Sequence, residues 1–155
     1  MTLSLDQSLT KTAAIVFNEK NEIEYFTVIK TSTRDGTEEE RIVFLLEELE
    51  KIILEWGVVK IVLEDLLFNV VSRSVRVLAG VFYNILTLCV VLGLDYEKIS
   101  ATKAKKRAGS GRNGKEEMIK ALPEDVRFLF SKEYKITTGL HDLADAYFIY
   151  FSSLK

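Results

Sequence analysis

VVKIVLE, residues 58–64, is a nearly continuous run of apolar, mostly β-branched side chains that ends in a carboxylate. Runs of this kind, without polar alternation, are typical of a strand that is buried on both faces of a sheet. Glu64 then stands at the carboxyl end of that strand, where open α/β sheets usually place their functional sites. The stretch therefore predicts a central strand with a candidate site residue at its end.

Three further runs precede this stretch and have the pattern of strands, the last two joined by a polar segment of hairpin length. They cover residues 3–6, 10–17 and 23–31. A helix is predicted between the third run and residue 58. It begins with a capping box, in which the side chains of Thr37 and Glu40 accept from each other's backbone N–H groups, and it ends at Gly57.

The second half of the chain also alternates between helix and strand patterns. An apolar helix, a strand and a final helix are expected over residues 72–93, 94–99 and 140–154. The basic segment 103–115 is expected to be a mobile loop, followed by a helix that Asn113 caps and Pro123 ends. The order β-β-β-α-β-α-β predicts an α/β fold with a mixed five-stranded sheet flanked by helices, in one domain over residues 1–155.

The composition is that of a folded protein, with 48% hydrophobic and 28% charged residues in a chain of 155. Cys89 is the single cysteine and forms no intrachain disulfide, which is typical of a reducing intracellular compartment. The first six residues lack a basic segment followed by an apolar core, so no secretory signal is expected. We therefore expect a cytoplasmic protein.

An apolar stretch at residues 77–94 is about as long as the shortest membrane-spanning helices. It contains Asn84, Thr87 and two glycines, and the rest of the chain has the pattern of a soluble protein. We interpret the stretch as a helix buried in the core or in a dimer interface, and we expect no membrane partner.

Four acidic residues stand at positions where a charge is costly: Asp6, Glu64, Asp142 and Asp145. The i, i+3 spacing of Asp142 and Asp145 puts them on one helical face, where they repel each other unless a cation lies between them. Carboxylate oxygens are the ligands that Mg²⁺ prefers. Each acid alone also has an ordinary structural explanation, such as a turn or a helix start. The four together favour a metal site.

His141 is the only histidine, and it shares a helical face with Asp145 at i, i+4 spacing. It could serve as a metal ligand or as a base, or it could be a partly exposed residue at the start of the helix. With one histidine and one cysteine, no Ser/His or Cys/His nucleophile arrangement is evident.

Three features of the sequence resemble the RuvC family of Holliday junction resolvases. Leu5-Asp6 closes the first strand, Glu64 closes the fourth, and HDLADA, residues 141–146, opens the last helix. The D-x-x-D-A pattern on an apolar helix is the most specific of the three. Their order and spacing match over nearly the whole chain. The chain looks closest to short phage-encoded members of the family, and a phage-encoded protein would act in the cytoplasm of the host cell.

The resemblance implies an RNase H-like fold and a homodimer that cuts four-way DNA junctions with two Mg²⁺ ions per active site, for which Mn²⁺ can substitute. It assigns the catalytic and metal-binding roles to Asp6, Glu64, Asp142 and Asp145. Two such cations would activate a water molecule and stabilise the leaving oxygen in an in-line displacement. No small-molecule substrate is expected.

The basic segment carries six positive charges and no acid, in a chain whose net charge is −2. Its cations are Lys103, Lys105, Lys106, Arg107, Arg112 and Lys115. Such asymmetry indicates a local anionic partner, so we expect DNA phosphate binding here rather than only a solvated charge run. The resemblance places Lys115 near the scissile phosphate. Weaker candidates at the rim are Lys11, Arg73 and Arg76.

Two apolar features have both a functional and a structural explanation. Phe68 lies where the family places a side chain that can stack on an unpaired base, but it could equally be a core residue. The helix at residues 72–93 has more apolar surface than one sheet contact needs, which favours a dimer interface over an interior helix.

The sequence therefore predicts a structure-selective endonuclease for branched DNA that chiefly resolves four-way junctions by paired nicks. An RNase H-type enzyme that cuts RNA in hybrids is a rival with the same fold, and the basic segment and the apolar helix argue against it. A non-catalytic junction-binding protein is a rival of a different class, and the presence of all four acids argues against it.

Overall fold

The computed structural model of the protein describes residues 1–66 and 72–154. Within these ranges, five strands form one sheet: β1 (Thr2–Asp6), β2 (Lys11–Phe17), β3 (Ile23–Lys30), β4 (Lys60–Glu64) and β5 (Asp95–Ile99). The helices of the described chain are α1 (Glu38–Trp56), α2 (Arg73–Leu92), α3 (Ala101–Arg107), α4 (Lys115–Ala121), α5 (Glu124–Ser131) and α6 (Leu140–Ser153). Short 3₁₀ turns at Thr33–Asp35 and Ile136–Thr138 precede α1 and α6.

The strand order across the sheet is β3-β2-β1-β4-β5. β1 is antiparallel to β2 and parallel to β4, and β4 is parallel to β5. This is the mixed five-stranded sheet that the sequence predicts, because hairpins give antiparallel pairs and helical crossovers give parallel ones. The strands β1, β4 and β5 all finish at one end of the sheet, which we call its carboxyl end.

Each face of the sheet has its own apolar core. Leu5 of β1 and Leu63 of β4 belong to the core beneath α1 and α2, whereas Val62 of β4 belongs to the core beneath α6. Successive side chains of a strand point to opposite faces. Asp6 and Glu64 directly follow the two leucines, so both acids lie on the α6 face.

The ends of α1 and α2 form as the sequence predicts. The Thr37 hydroxyl accepts from the Glu40 N–H and the Glu40 carboxylate accepts from the Thr37 N–H, which is the expected capping box of α1. The side chain of Ser72 caps α2. Gly57 and Gly93 end the two helices in the left-handed conformation, which glycine adopts without steric cost.

The basic segment does not form the mobile loop expected from its glycines. It begins within α3, which Ser100 caps, and after a short turn Lys115 is the first residue of α4. Alanine, lysine and arginine are strong helix formers, which explains the helix. The expected Asn113 cap is also wrong, because Gly114 occupies that position and the Asn113 amide donates to the Ala108 carbonyl.

α2 is long and apolar enough to cross a membrane by length and composition alone, and 22% of its most apolar stretch is buried. One such helix is weak evidence, because core helices pass the same test. Its buried residues include Phe82, Ile85 and Cys89, whereas Val90 and Val91 are 71% and 74% exposed. The alternative of a helix buried in the interior of one chain is therefore excluded, and the outer face of α2 is apolar and exposed.

The start of α6 depends on Gly139, whose φ is 133°. Residues with a side chain rarely adopt this conformation. A Cβ at Gly139 would also lie 2.6 Å from Cγ2 of Val28 in β3. The glycine therefore allows α6 to begin directly against the sheet, and this contact fixes where the first turns of the helix lie.

We expect Gly139→Ala to lower the free energy of unfolding by roughly 3 kcal/mol, because backbone strain adds to a steric clash. Gly57→Ala is the matched control, since Gly57 is also left-handed but a Cβ there would meet nothing within 4 Å. Its cost should be about 1 kcal/mol. Urea denaturation of both variants measures the difference, and equal losses would contradict the role of the Val28 contact.

Candidate active site

Asp6 and Glu64 lie side by side at the carboxyl end of the sheet. Their strands are paired in parallel with Leu5 opposite Leu63, so the acid is the next residue of each strand. Both acids are half-buried. The pairing therefore brings together the first two of the acids that the sequence singled out.

α6 places the second pair of acids over the same end of the sheet. Asp142 lies in its first turn, and Asp145 follows one turn later. The helix is fastened to β1 by a buried hydrogen bond, in which Oγ of Ser4 donates to the Ala146 carbonyl at 2.7 Å. Because Ser4 is two residues before Asp6 and Ala146 directly follows Asp145, this bond sets the position of α6 relative to the Asp6 carboxylate.

Asp6 lies within electrostatic reach of the other three acids. The pKa of Asp6 is raised well above its usual value, first by burial and then by the negative charges of Asp145, Glu64 and Asp142. The pKa of Asp145 is raised to about 6, first by burial and then by Glu64. Burial also raises the pKa of Glu64. Carboxylates that repel each other in this way are stabilised by a cation among them.

His141 lies between a backbone carbonyl and Asp142. Its Nε2 is 3.0 Å from Oδ1 of Asp142, and its Nδ1 is 3.0 Å from the carbonyl oxygen of Ile136, to which it can donate. The other carboxylate oxygen of Asp142 is buried and has no hydrogen-bond partner among the described residues. His141 therefore orients the Asp142 carboxylate. The other carboxylate oxygen remains free to accept a hydrogen bond or to coordinate a cation.

The donor set of the site suits a hard divalent cation. In the described part of the chain, no three carboxylate, imidazole or thiol groups are already placed to hold a metal ion together. The site nevertheless has four mutually repelling carboxylates and the orphaned buried oxygen of Asp142. Mg²⁺ usually retains several waters and takes only a few carboxylate ligands, so these residues fit it.

Gln7 is a buried residue of the site that the sequence interpretation missed. Its amide nitrogen donates to the Glu64 carbonyl at 2.7 Å, and its amide oxygen accepts from the Glu64 N–H at 3.2 Å. The two bonds extend the pairing of β1 with β4 through a side chain and hold the backbone of Glu64. The signal in the sequence was a polar amide directly after the candidate acid Asp6.

Two of the predicted DNA-binding cations interact with the acids. Lys115 counteracts part of the rise in the pKa of Asp6 that burial causes, and Lys105 does the same for the pKa of Glu64 and of Asp145. The other predicted cations are exposed on α3 and on the turn after it: Lys103, Lys106, Arg107 and Arg112. We call these six cations the basic surface, and it adjoins the acids.

The weaker candidates are placed less favourably. Lys11 donates from Nζ to a backbone carbonyl in the turn before α6 at 2.8 Å. Nη2 of Arg73 is 3.1 Å from Oε1 of Glu38, so the charge of Arg73 is already compensated. Arg76 is exposed in the first turn of α2. Phe68 lies outside the described residues and stays a prediction.

Several solved structures are similar to this chain over nearly its whole length. RuvC of T. thermophilus in complex with a Holliday junction substrate matches with a TM-score of 0.74 at 14% identity, over 97% of this chain and 92% of that one. The fowlpox virus resolvase in complex with substrate Holliday junction DNA matches with a TM-score of 0.59 at 19% identity, over 99% and 100%. The chain has the fold of the Holliday junction resolvases.

A third resolvase structure has the same fold. The three matches confirm the RNase H-like fold that the resemblance implied. The yeast mitochondrial Holliday junction resolvase matches with a TM-score of 0.55 at 12% identity, over 97% of this chain and 78% of that one. No family model matches the sequence, and no curated protein matches it. At these identities the likeness lies in the arrangement of the strands and helices.

Removal of the Asp145 charge should stabilise the metal-free protein at neutral pH. Its pKa is about 6 in the folded state, against an ordinary value of 3.8, so the folded state binds the proton more tightly than the unfolded chain does. Stability is therefore lost as the pH rises from about 4 to about 6. We expect Asp145→Asn to gain roughly 1–3 kcal/mol at pH 7.5 in EDTA and little at pH 4, measured by thermal denaturation.

Asp95→Asn is the control for this experiment, because Asp95 is exposed at the opposite end of the sheet. It should show no comparable gain between pH 4 and pH 7.5. A gain for Asp145→Asn that is the same at both pH values would contradict the explanation by repulsion and burial.

Proposed function

We propose that this protein is a structure-selective, metal-dependent endonuclease that cleaves branched DNA, chiefly by resolving four-way junctions with paired nicks. The observation that carries the proposal is the meeting of Asp6, Glu64, Asp142 and Asp145 at one end of the sheet. The resolvase fold supports this substrate class, since RuvC of T. thermophilus and the fowlpox virus resolvase were both solved in complex with Holliday junction DNA.

The four acids would hold two Mg²⁺ ions, with Mn²⁺ able to replace them. Such ions, when bound, activate a water molecule and neutralise the charge that develops on the leaving oxygen. The remaining residues of the site position the ligands. His141 orients the Asp142 carboxylate, and Gln7 holds the backbone of Glu64 against β1. Precise positioning of this kind reduces the reorganisation that the reaction requires.

The basic surface would bind the DNA backbone on both sides of the cut. Lys105 and Lys115 interact with the acids, so they would contact the scissile phosphate. The exposed cations of α3 and the following turn would contact neighbouring phosphates, which positions the DNA without reading its sequence. Since the rest of the chain is strongly acidic, the DNA would be repelled elsewhere and guided to this surface.

The outer face of α2 would form the interface of a homodimer. Tyr83, Val90 and Val91 are all more than half exposed on this face, at 57%, 71% and 74%. A junction with two-fold symmetry requires cuts in two opposing strands, whereas the described residues of one chain form one candidate active site. Two-fold dimers are the commonest oligomers and supply one active site for each strand.

Other expectations about partners and location belong to the same proposal. The protein would act in the cytoplasm, that of the host cell if the chain is phage-encoded, without a membrane partner or a small-molecule substrate. The buried thiol of Cys89 supports a role in packing rather than chemistry, because burial raises its pKa to about 11 and keeps it protonated.

Two rival functions remain to be separated by experiment. An RNase H-type enzyme would use the same acids on RNA in hybrids, and the basic surface together with the exposed apolar face of α2 argues against it. A non-catalytic junction-binding protein would not need the clustered acids at all, because their mutual repulsion only costs stability when no cation is bound.

Cleavage of a synthetic four-way junction in Mg²⁺ tests the proposal directly. We expect Asp6→Asn, Glu64→Gln and Asp145→Asn each to slow cleavage at least about a hundredfold, as expected when a contact worth about 3 kcal/mol in the transition state is lost. Junction binding in EDTA should be preserved, because the substitutions reduce the negative charge beside the basic surface. Gel assays of cleavage and fluorescence anisotropy measure the two quantities.

The matched control is Asp95→Asn, which removes an exposed acid from the far end of the sheet and should cut at the wild-type rate. An RNA–DNA hybrid serves as the second substrate. Faster cleavage of the hybrid than of the junction would favour the RNase H-type rival. Tight junction binding without Mg²⁺-dependent nicking would favour the non-catalytic rival.

We expect a dimer in solution that Val91→Lys converts to a folded monomer, because Val91 is exposed in the single chain and would be covered in the dimer. The monomer should nick one strand and release singly cut junctions. Light scattering at low micromolar concentration gives the mass, and strand mapping gives the cuts. Phe128→Lys is the control, since Phe128 is 64% exposed on the other side of the sheet. A wild-type monomer would contradict the paired-nick mechanism.

A further inference from the structure

Arg41 is a buried cation that lies outside the candidate active site. It stands in the first turn of α1 and is 5% exposed. Its Nε donates to the Thr31 hydroxyl at 2.9 Å, and that hydroxyl donates to the Leu9 carbonyl. The other four N–H groups of the guanidinium have no acceptor among the described residues. The guanidinium of Arg41 is thus held only through Nε, and its other N–H groups remain available to bind an acceptor.

The charge of Arg41 is not compensated at contact distance. Within residues 1–66 and 72–154 no carboxylate lies within 4.0 Å of it, and residues 67–71 contain no acid. Asp35 interacts with it only at longer range, since the pKa of Asp35 is lowered chiefly by hydrogen bonds from Ser32 and least by Arg41. A guanidinium without a contacting acid can pair with an anion that reaches it.

A cleft of about 410 Å³ opens at Arg41, between the turn after β1 and the beginnings of α1 and α2. Polar side chains of this cleft include the hydroxyls of Thr10 and Ser74 and the guanidinium of Arg73. Its one acid is Glu38, which is already paired with Arg73. The cleft therefore combines hydroxyl donors with one uncompensated positive charge.

The topology places this cleft at the same end of the sheet as the acids. β1 ends there at Asp6, and β2 and β3, which are antiparallel partners, begin and end there. α1 and α2 start at this end as well, after β3 and β4. The cleft is thus on the α1 and α2 side of the sheet end, whereas the acids are on the α6 side.

We infer that Arg41 forms a second phosphate-binding site, which holds a backbone phosphate of the DNA strand that passes the acids. The inference rests on the proposed function. A guanidinium offers parallel N–H donors that match two phosphate oxygens, and the nearby hydroxyls add further donors. The strand would then be held on both sides of the acids, by the basic surface on one side and by Arg41 on the other.

The alternative is that Arg41 only ties α1 to the sheet through Thr31. The test must therefore detect a phosphate contact rather than a loss of stability. We would bind synthetic four-way junctions to the Asp145→Asn protein in EDTA, where no cleavage occurs. Each junction carries one uncharged methylphosphonate in place of a phosphate, at a different position. The scan is repeated with Arg41→Met added, which keeps the bulk of the side chain and removes its charge.

In each of the two strands that pass the acids, we expect one position at which the methylphosphonate lowers affinity roughly tenfold when Arg41 is present and has no effect in Arg41→Met. The slope of log affinity against log salt concentration should also become shallower by about one unit in Arg41→Met. Lys51→Met is the matched control, because Lys51 is a 70% exposed cation on the same helix and should leave the scan unchanged. A scan in which every sensitive position stays sensitive in Arg41→Met overturns the inference.

Circular dichroism establishes whether Arg41→Met is folded. If it is not, Arg41→Lys replaces it, and the sensitivity at the Arg41 position should fall at least about threefold, because lysine cannot make the paired contact. An unchanged sensitivity in Arg41→Lys would overturn the inference. Because binding is measured without cleavage, a wild-type protein that fails to nick junctions removes the nuclease proposal and leaves the phosphate contact to be decided by the scan alone.

Discussion

The parallel pairing of β1 with β4 is the contact on which the rest of the structure depends. It sets Leu5 opposite Leu63, and the alternation of side chains then places Asp6 and Glu64 next to each other on the α6 face. A shift of one residue in either strand would turn its acid toward the apolar core beneath α1 and α2. The two hydrogen bonds between the side-chain amide of Gln7 and the backbone of Glu64 oppose such a shift.

The site combines a costly cluster of charges with contacts that hold it in place. Burial and repulsion raise the pKa of Asp6 and of Asp145, so the cluster destabilises the metal-free protein at neutral pH. The hydrogen bond from Ser4 to the Ala146 carbonyl and the close fit of Gly139 against Val28 keep α6 near the sheet nevertheless. The metal-free protein is thus least favourable electrostatically at the place where a cation would be bound.

Periodicity and capping patterns allowed most of the fold to be predicted. The strand within VVKIVLE, the Thr37 capping box and the acids at strand and helix ends are all local signals, and the structure has each of them, with the strand limited to Lys60–Glu64. α3 could not be predicted from apolar periodicity, because Ala104 is its one buried residue. Gln7 gave only the weak signal of an amide directly after Asp6 and Arg41 gave none, since their roles depend on partners that only the folded chain brings together.

The hydrogen bond between Ser4 and Ala146 joins residues that are 142 positions apart in the sequence. The chain must therefore close a loop of this length before the acids of α6 can reach Asp6 and Glu64, and the entropy lost on closing such a loop slows the formation of long-range contacts. A chain still being synthesised, or one clipped before α6, has half of the acids and no complete centre. The proposed nuclease activity would in this way depend on the completion of folding.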